Sequence, residues 1–166
     1  MHFDLKSISK DAVPKALQKA ERYRLLNEPS LAESICLDIL AVLPDHQEAL
    51  VCLVLARTDQ FGHGVSVESA QQVLPRIDGE YARSYYAGLI WERKGHAHLH
   101  RGGLLSNANT YHALCEAMKH YERAEVLRPP GNDDAILRWN ACARILMRNP
   151  AIRPLPDTEF QPITGE

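Results

Sequence analysis

Residues 32–44 read AESICLDILAVLP, and residues 117–129 read AMKHYERAEVLRP. Both stretches begin with alanine, carry residues suited to a packed face four and seven positions later, and reach a proline twelve positions after the alanine. Residues 66–78 (SVESAQQVLPRID) follow the same spacing more weakly, with Ser66 first and Asp78 in place of the proline. Spacings of four and seven place side chains on one face of an α-helix, and proline cannot continue that helix. Each stretch therefore predicts a helix with one packed face.

A second series of residues lies upstream of these stretches and has a fixed period. Ala20, Val54 and Gly88 follow one another at intervals of 34 residues. That interval is the length of a repeated helix–turn–helix unit. One helix pair cannot bury its own apolar face, so such units stack on their neighbours. The sequence therefore predicts an all-α fold built from antiparallel helix pairs.

The pattern resembles that of tetratricopeptide repeat proteins, which stack helix pairs with small residues at the crossings and a proline after each pair. The second repeat is degenerate, since Val54 and Ser66 replace small residues and Asp78 replaces the proline. The resemblance covers about residues 13–147 and implies a right-handed α-solenoid of about three repeats plus a final capping helix. The matching residues are Ala20, Ala32 and Pro44 in the first repeat, and Gly88, Gly95, Ala117, Tyr121, Ala124 and Pro129 in the third.

Breaker residues divide the chain into seven predicted helices and a tail. Ser30 and Glu33 have the spacing of a capping box at the start of the second helix. We expect a repeat domain over residues 1–148 and a tail over residues 149–166, whose four prolines are typical of an extended linker. The alternative is that the apolar residues of the tail pack on the domain. The predicted helices cover about residues 14–27, 31–42, 47–59, 66–76, 80 onward, 110–127 and 133–147, and the apolar tail residues are Ile152, Leu155, Phe160 and Ile163.

Composition excludes several classes of function. The 166 residues have a net charge of −2 and contain no block of like charge, so no nucleic-acid surface is predicted. No apolar run is long enough for a membrane span, and no secretory leader is visible, so we expect a cytoplasmic protein without a membrane partner. The cysteines have no metal-ligand spacing and are expected to be reduced, buried, small apolar residues; they are Cys36, Cys52, Cys115 and Cys142.

The resemblance implies a non-catalytic scaffold, because members of that family hold a peptide or helix on the concave surface formed by the first helices. Some members clamp a C-terminal carboxylate with Lys, Asn and Arg side chains. The corresponding positions here carry other residues, namely Leu17, Glu21, Cys52, Ala82 and Tyr86.

A mixed apolar and aromatic surface fits an amphipathic helix or an extended peptide better than a carboxylate. Two alternatives remain open: the side chains merely pack inside the stack, or an uncovered repeat face forms a homo-oligomer. No catalytic residue is predicted. The residues expected in the groove by phase are Leu17, Glu21, Arg24, Val51, Leu55, Tyr85, Tyr86, Leu89, Glu92, Ile136, Asn140 and Arg144.

The third repeat is longer than the others. Gly88 and Trp139 are 51 residues apart where 34 are expected, an excess of 17. The additional residues 96–112 include Gly102 and Gly103, which must break the helix. The insertion therefore predicts two elongated helices that form a protruding hairpin.

Histidines on this hairpin suggest an alternative function as a metal-binding protein. His96 and His100 are four residues apart, as are His112 and Glu116, so each pair shares one helical face. With the turn centred near residues 104–105, antiparallel pairing would place His112 and Glu116 opposite His96 and Arg93. Three imidazoles with one carboxylate suit zinc or another divalent metal. Glu92 could be a further ligand, or it could form a hydrogen bond to one of the ligands. Two other interpretations remain. The histidines could be solvated and bind no ligand, or they could form a pH-responsive surface.

Overall fold

The structure is a computed structural model that describes residues 3–155, and this range contains α-helices but no β-strand beyond an isolated bridge between Phe61 and Val65. Two short 3-10 helices, Lys10–Ala12 and Leu74–Arg76, accompany the α-helices. The seven α-helices of the described range pack against one another, which confirms the all-α prediction. They are α1 (Val13–Leu25), α2 (Pro29–Val42), α3 (Gln47–Thr58), α4 (Val67–Gln71), α5 (Glu80–Arg101), α6 (Leu104–Leu127) and α7 (Asp134–Arg148).

Two helix starts differ from the sequence prediction. α6 begins at Leu104 rather than near residue 110, because Gly103 adopts φ 91° and turns the chain immediately. The predicted capping box is also wrong: α2 begins at Pro29 without a side-chain cap. The Glu33 carboxylate instead accepts a hydrogen bond of 2.8 Å from Arg57 Nε. The contact with Arg57 of α3 therefore replaces the predicted capping interaction within α2.

The small residues of the repeat pattern are buried in the first and third repeats. Ala20, Ala32, Ala117 and Ala124 are all fully buried, and so is Cys36 at the next position of the first stretch. Ser66 and Asp78, which begin and end the weaker stretch, are exposed. The spacing therefore located buried positions in α1, α2 and α6.

Helix α5 connects two apolar clusters. Ile90 belongs to the cluster built mainly from α1 to α4, whereas Tyr85 and Trp91 pack against the cluster built by α6 and α7. The helix continues to Arg101, and α6 returns alongside it, so the predicted elongated hairpin is present. One helix thus couples the two halves of the core.

Glycines allow α5 and α6 to approach closely. A methyl group at Gly88 would lie 2.7 Å from the ring carbon Cε1 of Tyr121, and one at Gly95 would lie 3.1 Å from Cδ2 of Leu114. Toward the C-terminus of α5, its residues face positions nearer the N-terminus of α6, so the two helices run antiparallel. Tyr121 fills the space that a side chain at position 88 would need.

The described part of the tail is partly packed. Ile152 is only 5 % exposed, which agrees with packing on the domain, whereas Leu155 is 48 % exposed. Phe160 and Ile163, the other two residues considered for packing, lie outside the described residues.

We expect Gly88→Ala to destabilise the fold. Alanine favours a helix over glycine by about 1 kcal/mol, but overpacking a core costs about 1–3 kcal/mol. Tyr121 cannot retreat easily, because it is fully buried and its hydroxyl is bonded to Glu92 at 2.6 Å. Since the new methyl group would lie 2.7 Å from the Tyr121 ring, we expect a cost of about 2–3 kcal/mol, and urea denaturation should show a net loss of about 1–2 kcal/mol.

Gly95→Ala is the matched control for that substitution. Its new methyl group would meet the flexible end of Leu114, which can shift by a few tenths of an ångström. We expect its free energy of unfolding to stay within about 0.5 kcal/mol of the wild type. A Gly88→Ala variant as stable as the wild type would contradict the close packing of Tyr121.

Candidate functional site

A groove of about 430 Å³ lies between α1, α3, the segment before α5, and α5 itself. We call it the central groove. Five of the residues expected in the groove by repeat phase line this one, namely Glu21, Arg24, Val51, Leu55 and Tyr86. Its remaining lining residues are Gln47, Glu48, Cys52, Ile77, Asp78 and Ala82.

The floor of the central groove is apolar. Val51, Leu55 and Tyr86 are half-buried, so each still offers surface to a ligand, while Ile77 is buried beneath. Burial raises the pKa of Tyr86, so its phenol stays neutral at physiological pH. A neutral phenol above an aliphatic floor can pack against an apolar side chain and donate one hydrogen bond.

The rim of the central groove is acidic. Glu21, Glu48 and Asp78 are exposed, and none of them forms an ion pair with another residue in the 3–155 range. Arg24 does not neutralise them, because its Nη2 lies 2.8 Å from Oδ2 of Asp59. The groove therefore combines an apolar floor with uncompensated negative charge.

Sequence reasoning missed four lining residues. Glu48 precedes Cys52 by one turn of α3, so the helical spacing carried a signal for it. Ile77 and Asp78 precede α5 outside any helix and gave no such signal. Gln47 holds this segment in place: its Oε1 accepts a hydrogen bond of 2.8 Å from the Asp78 backbone N–H, and its Nε2 donates to the Arg76 carbonyl.

Several predicted groove residues lie elsewhere. Leu17 and Leu89 are 8 % and 3 % exposed, so both are core residues and cannot present a surface to a partner. Tyr85 packs between other tyrosines, with ring centroids 5.2 Å from Tyr86 and 5.8 Å from Tyr121. The three predicted residues of α7 do not line the central groove; they are Ile136, Asn140 and Arg144.

Glu92 was also predicted in the groove, but it is a buried carboxylate with partners on two helices. It is 4 % exposed and accepts hydrogen bonds from the Tyr121 hydroxyl at 2.6 Å and from Arg138 Nη1 at 3.1 Å. The His96 Nε2 atom lies 3.7 Å away. Burial alone would raise the pKa of Glu92, but its contacts with His96, Tyr121 and Arg138 outweigh burial and hold that pKa below its usual value. The carboxylate is therefore a structural anion that joins α5, α6 and α7.

The histidines of the hairpin were predicted to meet across α5 and α6. The register of the two helices is as predicted, because Gly95 faces Leu114. His112 and Glu116 are each two residues from Leu114, which corresponds to a rotation of about 200° around α6. Neither side chain therefore lies on the face of α6 that carries Leu114, and His112 contacts α5 at Trp91 instead.

The four proposed metal ligands consequently have separate neighbours. His112 packs against Trp91, with ring centroids 5.9 Å apart, and Glu116 pairs with Lys119. His100 Nδ1 is bonded to the backbone carbonyl of His96 at 2.7 Å. Within residues 3–155, no group of three or more His, Cys, Asp or Glu side chains is placed to hold a metal ion. The apolar stripe of α6, which includes Leu114 and Ala117, carried the signal that His112 and Glu116 lie on another face of the helix.

Comparison with known proteins gave no match to a family model, a curated protein or a solved structure. Among the described helices, none is long and apolar enough to cross a membrane.

Lowering the pH should remove the contribution of Glu92 to stability. Because its folded pKa is depressed, this contribution is complete above the pKa of an unfolded glutamate, about 4.3, and is lost as the pH falls through the lower folded pKa. The difference in free energy of unfolding between wild type and Glu92→Gln should shrink between about pH 6 and about pH 3. Chemical denaturation at each pH measures it.

Glu48→Gln is the control, since Glu48 is exposed and forms no ion pair within the described range. Its difference from the wild type should stay nearly constant over the same pH range. A Glu92→Gln difference that does not change with pH would show that Glu92 is not a stabilising anion.

Proposed function

We propose that this chain is a helical-repeat scaffold, similar to tetratricopeptide repeat proteins, that binds a protein segment in the central groove. In this proposal the helices form antiparallel pairs in a right-handed α-solenoid, and the role is non-catalytic. The observation that supports it best is the groove itself, where residues from α1, α3 and α5 at matching repeat positions surround an apolar floor. Burial of the small residues at the repeat positions is the second support.

The chemistry of the groove selects the kind of segment. Val51, Leu55 and Tyr86 offer a surface for one or two apolar side chains. The unpaired carboxylates of Glu21 and Glu48 favour a positively charged flank through charge complementarity. We therefore propose a ligand segment that carries an apolar anchor beside Lys or Arg.

The volume of the groove agrees with this choice. About 430 Å³ accommodates a few side chains rather than a whole folded domain. An extended peptide or one face of a helix can insert such anchors at regular spacing. Affinity should then come from the apolar anchors, whereas the acidic rim sets partner choice and association rate.

Selection from a displayed random peptide library tests this function. We expect the enriched peptides to share an apolar residue flanked by Lys or Arg. Leu55→Glu should weaken their binding at least about tenfold, because it places a charge on the apolar floor. The matched control is Leu37→Glu, whose side chain is 46 % exposed on α2 and does not line the groove. Equal binding by the two variants, or enrichment of acidic peptides, would contradict the proposal.

Neutralising the rim provides a separate prediction. Glu21→Gln and Glu48→Gln should each reduce the affinity of a selected peptide by about twofold to fivefold at low salt. Both effects should diminish as the ionic strength rises, because exposed charges are screened. Isothermal titration calorimetry at several salt concentrations measures this. Affinity that is independent of salt in all proteins would mean that the acidic rim takes no part in binding.

A further inference from the structure

A second cavity, of about 560 Å³, lies where the ends of α1 and α3 meet the C-terminal half of α5. We call it the basic cavity. Only one carboxylate, that of Asp59, is among its lining residues. Its basic and imidazole side chains come from three separate segments, and they are Arg24, His63, Arg93, His96, His100 and Arg101.

The cavity has an excess of positive charge. Arg24 uses Nε and Nη2 to bind Oδ2 of Asp59, at 2.9 and 2.8 Å. Arg93 approaches the other oxygen of the same carboxylate only to 3.6 Å, which is too long for a hydrogen bond. Arg101 is exposed and has no ion pair within residues 3–155. The cavity is therefore lined by three guanidinium groups and only one carboxylate. Arg93 and Arg101 keep N–H donors available for a ligand.

The histidines add donors that depend on protonation. The His96 carbonyl can only accept, so His100 Nδ1 must carry the hydrogen in their 2.7 Å contact. The remaining nitrogen, Nε2, then becomes a donor when the imidazole is protonated. His63, which also lines the cavity, is exposed.

The lining of the cavity includes apolar residues. Pro29 and Ala97 are half-buried and still offer surface, whereas Phe61 is held in the core beneath with 9 % exposure. The volume is typical of sites for small molecules rather than for a macromolecular surface. The chain as a whole is not basic, since its net charge is −2, and the central groove has an acidic rim. An extended nucleic acid or membrane surface does not fit this distribution.

We propose that the basic cavity binds a small phosphate monoester that carries an apolar or aromatic group. The dianionic phosphate matches the excess of two positive charges, and its oxygens suit the forked donors of Arg93 and Arg101. The organic group would lie along the half-buried Pro29 and Ala97. This site shares only Arg24 with the central groove and does not rest on the proposed peptide-binding function.

Titration calorimetry of the full chain with phenyl phosphate tests the site. We expect saturable binding with a Kd below about 1 mM at about 0.15 M salt, and inorganic phosphate should bind at least about threefold more weakly. Benzoate, with the same ring and one charge fewer, should bind at least about tenfold more weakly than phenyl phosphate. No saturable binding of phenyl phosphate up to about 10 mM, or equal affinity for benzoate, would overturn the proposal.

Variants locate the site. Arg101→Gln should weaken phenyl phosphate binding at least about fivefold, and adding Arg93→Gln should abolish it. Arg101 is exposed and unpaired, so its replacement leaves folding intact, which circular dichroism confirms. Arg148→Gln, an exposed arginine on α7 outside the cavity, should change the Kd by less than about twofold. Equal losses in Arg101→Gln and Arg148→Gln would show a nonspecific charge effect and overturn the site. If a phosphoserine peptide binds and phenyl phosphate does not, the ligand is a phosphorylated protein, and the proposal of a small phosphate monoester is overturned.

Discussion

The contact between Tyr121 and α5 holds the rest of the structure in place. The Tyr121 ring occupies the space left by Gly88 of α5. Its hydroxyl donates a hydrogen bond to Glu92, which lies one turn after Gly88 in α5. Glu92 in turn accepts a hydrogen bond from Arg138 of α7. Burial and the nearby carboxylate raise the pKa of Tyr121, so the hydroxyl keeps the proton that it donates. A glycine, a tyrosine and a buried carboxylate thus fix three helices relative to one another.

Helix α5 transmits this constraint to both candidate binding regions. Its N-terminal half supplies Tyr86 to the central groove, and its C-terminal half supplies Arg93 and Arg101 to the basic cavity. The two regions have opposite charge, so they select different ligands although one helix lines both. Arg24 lines both as well, and Asp59 fixes its position between them. Rigid placement of α5 is therefore a requirement for either region to keep its shape.

Most of the fold was predictable from spacing, whereas side-chain partners were not. The repeat spacing predicted buried positions at Ala20 and Ala117, because close helix packing demands small residues, and both are fully buried. The same spacing could not show that Glu33 prefers Arg57 over its own helix terminus, since that choice depends on a neighbouring helix. It also gave the register of α5 and α6 but not the rotation of α6, so His112 lies against Trp91 rather than opposite His96. Glu92 illustrates the same limit, because its burial depends on Tyr121 and Arg138 together.

The most direct test of the central groove is an NMR titration of the isotopically labelled chain with a short peptide that carries an apolar residue flanked by lysines. Chemical shift changes should concentrate at Glu48, Val51, Leu55 and Tyr86, with little change at the Gly102–Gly103 turn of the hairpin. That result would establish that the central groove is the binding surface. Shift changes confined to the hairpin or to the exposed face of α2 would contradict a groove-binding scaffold.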